Sequence, residues 1–262
     1  MPNYQVVSKT HHTTKRWQRF ASYQFAASDA VASLVVKELP SAVMHLPIGF
    51  IAADQTFSLV AMQGLAPGKN LLVAPDGRWL AGYVPAAYRS FPFALANTEN
   101  GQQVLCIDEE SGLLSDAEGE LFFNDDGTPS KSVADVLNFL EHVQANREAT
   151  VRICAVLQKH DLIQPWPIKV KTESGERNIE GLHRIDEAAL NALPEEAFAE
   201  LRKTGALPVA YCQLLSMQHL AKLGKLAQAH AQAQTAPAAA PNGELDLEFL
   251  KNDGNISFGN IH

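Results

Sequence analysis

Apolar residues in the first half of the chain fall into short runs separated by turn residues. Ile48–Ala52 and Phe57–Met62 are two such runs with a short polar segment between them, a pattern typical of a β-hairpin. Asn70–Val73 and Trp79–Tyr83 flank the turn residues Pro75-Asp76-Gly77 in the same way, because Pro and Gly favour the backbone angles of tight turns. The pattern therefore predicts an antiparallel β meander.

Further along the chain, the apolar spacing changes to three and four residues. The apolar positions are Val133, Val136, Leu137, Leu140 and Val143. This spacing predicts a helical region that is capped by Ser130 or Ser132 and continues to His160. One long helix and two consecutive helices, broken near Asn146, fit the pattern equally well. A similar spacing within Ala30–Glu38, after the capping residues Ser28-Asp29, favours a short helix, although Val35-Val36 also suit a strand.

The C-terminal third contains a second predicted hairpin and further helices. We predict that Ile168–Lys171 pairs with Ile179–Ile185 across a turn at Glu173–Glu176. Asp186 is expected to cap a helix through Leu193, and Pro194 to begin another that Gly205 ends after Lys203. A last helix is expected after Pro208.

Together these elements predict a single α+β domain with an antiparallel β meander, a helical middle and C-terminal helices. We assign this domain to residues 17–228, after a flexible N-terminal segment at residues 1–16. An Ala- and Pro-rich linker is expected at residues 229–243. An acidic and apolar tail follows at residues 244–262, where Leu245, Leu247, Phe249 and Leu250 could dock on the domain, on a partner or on nothing.

Charge and hydropathy narrow the expected partners and location. The formal net charge of −8 argues against a nucleic-acid partner, because backbone binding requires a basic face. The chain contains no run of about 18 apolar residues, so we expect no integral membrane segment. The N-terminus resembles no conventional signal peptide, so we expect a cytoplasmic protein, with export through a C-terminal signal left open. Three widely spaced cysteines, Cys106, Cys154 and Cys212, fit a reducing compartment.

The stretch Gln63–Leu95 is the densest in aromatic and turn residues and is the candidate site. Aromatic faces and guanidinium groups together can hold a peptide or a small ligand. The candidate ligand-binding residues are Arg78, Tyr83, Tyr88 and Arg89. The competing interpretation, which we favour, is that the aromatic residues fill the core and that the arginines pair with Asp76, Asp108 or Glu109.

Motifs for metal, cofactor or covalent chemistry are not evident. The chain contains no HExxH, GxSxG or Walker sequence. Cys106 lies in an apolar setting that raises rather than lowers a thiol pKa. We therefore expect no metal and no cofactor, and we assign no catalytic residue.

Several phrases of the sequence resemble the SapC family of bacterial proteins in order and spacing, from about Trp17 to Leu226. The matching phrases are Pro47–Phe50, Gly64–Asn70, Asp76–Leu80, Tyr83–Ala86, Arg89–Phe93, Cys106–Glu109, Pro165-Trp166, Gly181–Asp186 and Leu215–Met217. The family takes its name from a surface-layer gene cluster, and relatives occur beside genes for outer-membrane receptors and amino-acid-modifying enzymes. The resemblance implies no established activity and no catalytic residue set.

From this resemblance we expect a non-enzymatic accessory or binding protein of a surface-layer or outer-membrane uptake system, with a protein or peptide partner. The alternative is an enzyme that acts on peptides or amino acids at a pocket around Arg78–Arg89. Convergence of three or more polar candidates in one open pocket would favour the enzyme. The polar candidates are Arg78, Tyr83, Tyr88, Arg89, Asp108, Glu109, His183 and Asp186.

Overall fold

Short strands dominate the first half of the chain, and helices dominate the second. The computed structural model describes residues 2–53, 55–172 and 175–235. The strands are β1 (Tyr4–Val6), β2 (Arg16–Trp17), β3 (Val31–Ser33), β4 (Ile48–Ala53), β5 (Thr56–Met62), β6 (Phe93–Asn97), β7 (Gln103–Asp108), β8 (Leu114–Ser115), β9 (Glu120–Leu121), β10 (Ile163–Pro165), β11 (Ile168–Thr172), β12 (Gly175–Ile179) and β13 (Leu182–Ile185). The α-helices are α1 (Lys9–His12), α2 (Leu39–Ala42), α3 (Ala86–Arg89), α4 (Lys131–Lys159), α5 (Glu187–Asn191), α6 (Glu195–Thr204), α7 (Ala206–Ser216) and α8 (Leu220–Thr235).

The largest sheet joins strands from both halves of the chain, in the order β10-β13-β4-β5-β3. All of its pairings are antiparallel, and the predicted β4–β5 hairpin is confirmed, with Ile48 opposite Ala61. Consecutive residues Leu59–Met62 of β5 are all buried. Since neighbouring side chains of a strand point to opposite faces, both faces of β5 are covered.

The helix α4 supplies one layer of the main core. It is continuous from Lys131 to Lys159, which decides between the two interpretations of its sequence. Its cap is Ser130, whose Oγ accepts a hydrogen bond from the Val133 N–H at 3.4 Å. Ile153, Cys154 and Leu157 of α4 are buried in the same cluster as residues of β4, β5 and α7.

Two smaller sheets pack around a second core. Their strand orders are β1-β7-β6 and β8-β2-β9, and the core between them contains Trp17, Phe93, Ile107 and Phe122. The N-terminal segment, which the sequence led us to expect as flexible, supplies β1 and α1. β1 is held because Tyr4–Val6 pairs with β7.

The predicted helix at Ala30–Glu38 is wrong. Val31–Ser33 is a strand, and only Val36–Glu38 forms a turn of 3₁₀ helix. The pairing of Val31 with Met62 of β5 explains the difference, because a β-branched residue beside an existing hairpin favours the sheet. The predicted pairing of Asn70–Val73 with Trp79–Tyr83 is reduced to one bridge between Val73 and Trp79.

The second predicted hairpin is only partly correct. β11 pairs with β12, whereas β13 turns away and pairs with β10 and β4. The break comes at Gly181, whose φ of 82° suits glycine. The segment Ile179–Ile185 therefore contributes to two sheets rather than one.

The C-terminal helices follow the sequence prediction in part, because the single last helix expected after Pro208 is divided into α7 and α8 by a 3₁₀ turn at Met217–His219. Asp186 caps α5 by accepting a hydrogen bond from the Ala189 N–H at 3.0 Å, and Gly205, with φ 78°, ends α6. α7 begins at Ala206, two residues before Pro208, which a first helical turn tolerates. α8 extends to Thr235, into the stretch expected as a linker. The rest of that linker and the tail at 244–262 lie outside the described residues.

The prediction of a single α+β domain is confirmed by this mixture of helices and antiparallel sheets. Within residues 2–53, 55–172 and 175–235, no helix combines the length and the apolar character needed to cross a bilayer.

Candidate ligand cleft

An open cleft of about 580 Å³ lies between the N-terminal strand and the segment around α3. We call it the aromatic-acidic cleft, after the side chains that line it. The aromatic ones are Tyr4, Phe25, Tyr88, Phe91 and Phe93, and the acidic ones are Asp29, Asp108 and Glu110. Pro2, Ala87 and Ser111 complete the lining. The lining therefore combines large apolar surfaces with carboxylates.

The aromatic wall is built by rings from two distant parts of the chain. Phe25 and Phe91 stack face to face, with ring centroids 3.9 Å apart and an angle of 8° between the planes. Tyr88 and Phe25 form a T-shaped contact with a centroid distance of 5.9 Å. Phe20 contacts both stacked rings from behind, at 5.1 Å and 6.0 Å. Such packing fixes the rings in place before any ligand arrives.

The phenol of Tyr88 connects the cleft to the protein interior. Its Oη lies 2.8 Å from Gln63 Oε1 and 3.1 Å from Asp29 Oδ2, and its single proton can be donated to either acceptor. Burial, followed by the negative charge of Asp29, raises the pKa of Tyr88 above its ordinary value of 10.0. Tyr88 is therefore a neutral hydrogen-bond donor rather than a nucleophile.

The orientation of the buried Gln63 amide is determined by Asn70. Asn70 Oδ1 accepts a hydrogen bond from the Leu72 N–H, so its Nδ2 must be the atom that donates to Ala26 O and Gln63 Oε1. Gln63 Oε1 therefore faces Tyr88 and Asn70, and the buried Gln63 Nε2 has no acceptor among the described residues. Gln63 Oε1 therefore connects Tyr88 in the cleft with Asn70 by hydrogen bonds.

Glu38, which the sequence analysis did not single out, organises a second cluster beside the cleft. Its side chain is 5% exposed. Oε1 accepts hydrogen bonds from Tyr83 Oη at 2.8 Å and from the Ala86 N–H at 2.6 Å, and Oε2 accepts one from the Val35 N–H at 2.9 Å. The carboxylate thus fixes the start of α3, the short helix that carries Tyr88.

Arg89 completes this second cluster from the outside. Its Nη2 lies 3.6 Å from Glu38 Oε1 and donates a hydrogen bond to Tyr83 Oη at 2.8 Å. The guanidinium also lies over the rings of Tyr83 and Phe139, 5.5 Å from each centroid. Burial and Glu38 raise the pKa of Tyr83. Tyr83 and Arg89 are therefore engaged with each other and with Glu38.

Arg78 lies apart from both groups. It is three-quarters exposed and pairs with Asp76 in the same turn, with Nε 2.6 Å from Oδ2. Only Tyr88 of the four candidate residues lines the cleft, whereas Tyr83 and Arg89 form the Glu38 cluster. Both arginines lie beside carboxylates, as we expected. Arg78 pairs with the expected Asp76, whereas Arg89 lies near Glu38 rather than Asp108 or Glu109.

The remaining polar candidates are dispersed. Asp108 lines the aromatic-acidic cleft, and Glu109 lies 3.7 Å from His12. His183 sits in β13 with its ring against Phe57. Asp186 caps α5 and borders a separate cleft of about 480 Å³ with Gln164 and Arg184. The polar candidates do not converge in one pocket.

The described residues show no cluster suited to a metal ion and no activated thiol. No group of three or more His, Cys, Asp or Glu side chains in that part of the chain could hold a metal. Burial raises the pKa of Cys106 and Cys212, and raises that of Cys154 to about 12. All three are free cysteines in this structure.

The SapC family model matches residues 7–223, which is most of the chain. The chain belongs to the SapC family. No curated protein and no solved structure matches it. The match covers α1 to α7 and the first residues of α8, so every residue of the Glu38 cluster and most of the cleft lie within the SapC region.

Proposed function

We propose that this SapC-family chain is a non-enzymatic accessory or binding protein of a bacterial surface-layer or outer-membrane uptake system. It acts by holding a protein or peptide partner at the aromatic-acidic cleft. The link to surface-layer or uptake systems comes from the family, and the binding role comes from the cleft. The proposal also keeps the protein in the cytoplasm, which the three free cysteines support.

The observation that carries the proposal is the composition of the cleft. Prepacked aromatic rings offer a large contact area at low entropic cost, and carboxylates add directional acceptors. Tyr88 and Asp29 are in contact, but the raised pKa of Tyr88 keeps the phenol protonated. The arrangement therefore supports recognition better than covalent chemistry.

The alternative, an enzyme acting on peptides or amino acids near Arg78–Arg89, lacks a comparable observation. Arg78 is paired in an exposed turn, and Arg89 supports Glu38. Incubating the purified protein with a peptide and amino-acid mixture, and following the products by mass spectrometry, checks this alternative. Turnover that scales with protein concentration would revive it.

A blocked-cleft comparison tests the binding role. Ala87 is an exposed cleft residue, so Ala87→Trp fills the opening without removing a core side chain. Ala117→Trp is the matched control, because Ala117 is exposed and does not line the cleft. Each variant is cross-linked in native lysate and the captured proteins are identified. We expect wild type and Ala117→Trp to capture the same surface-layer or outer-membrane proteins, and Ala87→Trp to lose them.

Two results would contradict the proposal. One is capture of no envelope protein by the wild-type chain. The other is equal capture by all three chains, which would place any partner on another surface.

A further inference from the structure

We propose that the aromatic-acidic cleft receives a lysine or arginine side chain of an extended partner peptide. The backbone of this peptide pairs with the free edge of β1. The inference rests on the proposed binding function. Three features of the structure lead to this occupant: the charge of the cleft, its aromatic rings, and the position of an open strand beside it.

The lining of the cleft is acidic. Among the described residues, its charged side chains are those of Asp29, Asp108 and Glu110, and it includes no Lys, Arg or His. Other carboxylates in the chain have cationic partners, as Glu120 has Arg19 and Glu200 has Lys159. Within the described ranges, neither Asp29 nor Asp108 takes part in an ion pair.

Asp108 makes this imbalance more costly because it is buried. Its side chain accepts hydrogen bonds from the backbone N–H groups of Asn3 and Glu110, at 2.8 Å and 3.1 Å, and both donors are neutral. A buried carboxylate without a cation is stabilised when a cationic group approaches. Asp108 and Asp29 also raise the pKa of the nearby phenols of Tyr4 and Tyr88, in addition to the effect of burial.

The aromatic rings favour the same kind of ligand. A cation above an aromatic face is attracted by the negative charge of the π system, and its hydrocarbon stem packs against neighbouring rings. Phe25, Phe91 and Tyr88 already form such a wall. A lysine or arginine side chain supplies both parts of this chemistry, an apolar stem and a charged end.

β1 offers the place for the rest of the peptide. In the sheet order β1-β7-β6, β1 is an outer strand, and no described strand pairs with its other edge. Asn3 O accepts a hydrogen bond from the Glu109 N–H, and the Val7 N–H donates to Leu105 O. Since antiparallel pairing alternates along a strand, the backbone groups of Tyr4 and Val6 point away from β7. They are available to an added strand.

Tyr4 connects the open edge with the cleft. It belongs to β1 and its side chain lines the cleft. In an antiparallel pair, opposite residues have their side chains on the same face. A peptide residue opposite Tyr4 therefore has its side chain on the face that the cleft occupies.

The test uses pools of acetylated and amidated hexapeptides with one fixed central residue and random flanks. The fixed residue is Lys, Arg, acetyl-Lys, norleucine or Glu, and binding to the full chain is measured by competition and mass spectrometry. We expect the Lys and Arg pools to be retained at least about fivefold better than the acetyl-Lys and norleucine pools. Equal retention of all pools overturns the proposal. Free n-butylamine, as a competitor, distinguishes a small-amine site if it displaces the pools completely.

Variants of the protein locate the cation. Asp29→Asn keeps the shape of the side chain and removes the charge, and we expect it to reduce retention of the Lys pool at least about threefold. Asp76→Asn removes the same charge from an exposed turn outside the cleft and should have no effect. Equal effects of the two variants would show only a general attraction between the acidic protein and basic peptides.

Changes to the peptide test the strand pairing without altering the protein. N-methylation of the fixed Lys removes the donor that faces Tyr4, and N-methylation of the next residue removes one that faces solvent. The first change should abolish retention and the second should leave it. If both peptides bind equally, β1 is not the docking edge. If the Lys and Arg pools fail while Ala87→Trp still loses its envelope partners, the cation is wrong and the proposed function stands.

Discussion

Glu38 shows how one buried carboxylate holds several parts of the site together. It accepts hydrogen bonds from Val35, Tyr83 and Ala86 and lies near Arg89. Replacing it with Gln turns one oxygen into an NH₂ group, which would face a donor. We expect Glu38→Gln to reduce the free energy of unfolding by about 2–4 kcal/mol, measured by urea denaturation.

The control for Glu38 is another glutamate with a single exposed partner. Glu120 pairs with Arg19 at 2.9 Å, and their side chains are 39% and 67% exposed. Glu120→Gln should change the free energy of unfolding by less than about 1 kcal/mol. Similar losses for both variants would mean that the Glu38 cluster does not stabilise the fold through its buried hydrogen bonds.

Tyrosine ionisation gives a second prediction for single residues. Burial is the largest cause of the raised pKa of Tyr4, Tyr83 and Tyr88, and nearby carboxylates add to it. Above pH 10.0, the unfolded chain loses these protons before the folded chain does. The folded state binds more protons in this range, so the free energy of unfolding must fall as the pH rises.

This prediction is measured by urea unfolding at pH values on both sides of 10. The stabilising contribution is fully present below the unfolded pKa, and each group changes stability by at most about 1.4 kcal/mol per pH unit above it. The double variant Tyr83→Phe, Tyr88→Phe should show a shallower decline than wild type. Phenolate absorbance should show both groups ionising late. An identical decline in the two proteins would contradict the burial of these phenols.

At the residue level, the sequence indicated one segment of the chain that lines the candidate cleft, but not the other residues that line or support it. Tyr88 was singled out because aromatic and turn residues are dense around it, and it lines the aromatic-acidic cleft. Phe25, Asp29 and Glu38 gave no local signal, since they reach the site only after β3 pairs with β5. Asp29 was interpreted as a helix cap for that reason. Long-range pairing of this kind has no signature in local spacing.

At the scale of elements, the loop that follows β5 depends on a close backbone contact at Gly64. Its N–H donates to Ala30 O, and Leu71 N–H donates to Gln63 O, which closes the loop. A Cβ at Gly64 would overlap the carbonyl oxygen of Lys69. Because that oxygen belongs to the backbone, we expect Gly64→Ala to cost more than about 3 kcal/mol.

Gly68 in the same loop is the matched control. Its φ is 73°, but a Cβ there meets nothing within 4 Å. Gly68→Ala should therefore cost only the backbone strain, about 1–2 kcal/mol. Thermal unfolding of both variants measures the difference. A smaller loss for Gly64→Ala than for Gly68→Ala would show that the loop relaxes around the added methyl group.

Elements with strong local signals were predictable, and those fixed by distant partners were not. Ser130 and the three-to-four spacing after it predicted the helical region of α4, though not its continuity, and the short runs of β4 and β5 predicted the hairpin. The failed helix at Ala30–Glu38 has helical spacing too, but its β-branched residues pair with β5 instead. Tertiary pairing overrides a short periodic pattern because a short helix is weak on its own.

At the scale of the whole molecule, α7 joins the two halves of the chain through buried polar groups. Gln213 Oε1 accepts a hydrogen bond from Ile185 N–H, and Gln213 Nε2 donates to Ile48 O. Ser216 Oγ accepts one from Ile48 N–H and donates to Gln213 O. Gln213 and Ser216 are fully buried. One helix thus supplies hydrogen-bond partners for backbone groups of Ile48 in β4 and Ile185 in β13.

This connection predicts that the chain unfolds as one unit and that Gln213 is essential to it. Gln213→Leu is close in volume but leaves the backbone groups of Ile48 and Ile185 buried without partners. We expect a loss of about 2–4 kcal/mol in one cooperative transition, followed by both far-ultraviolet circular dichroism and tryptophan fluorescence. Gln158→Leu, at an exposed helical position that contacts Gln55 O, should change stability by less than about 0.5 kcal/mol. Two separate transitions in the Gln213 variant would show instead that the N-terminal sheets fold independently of α7. The β4–β13 pairing would then connect two folding units instead of lying within a single one.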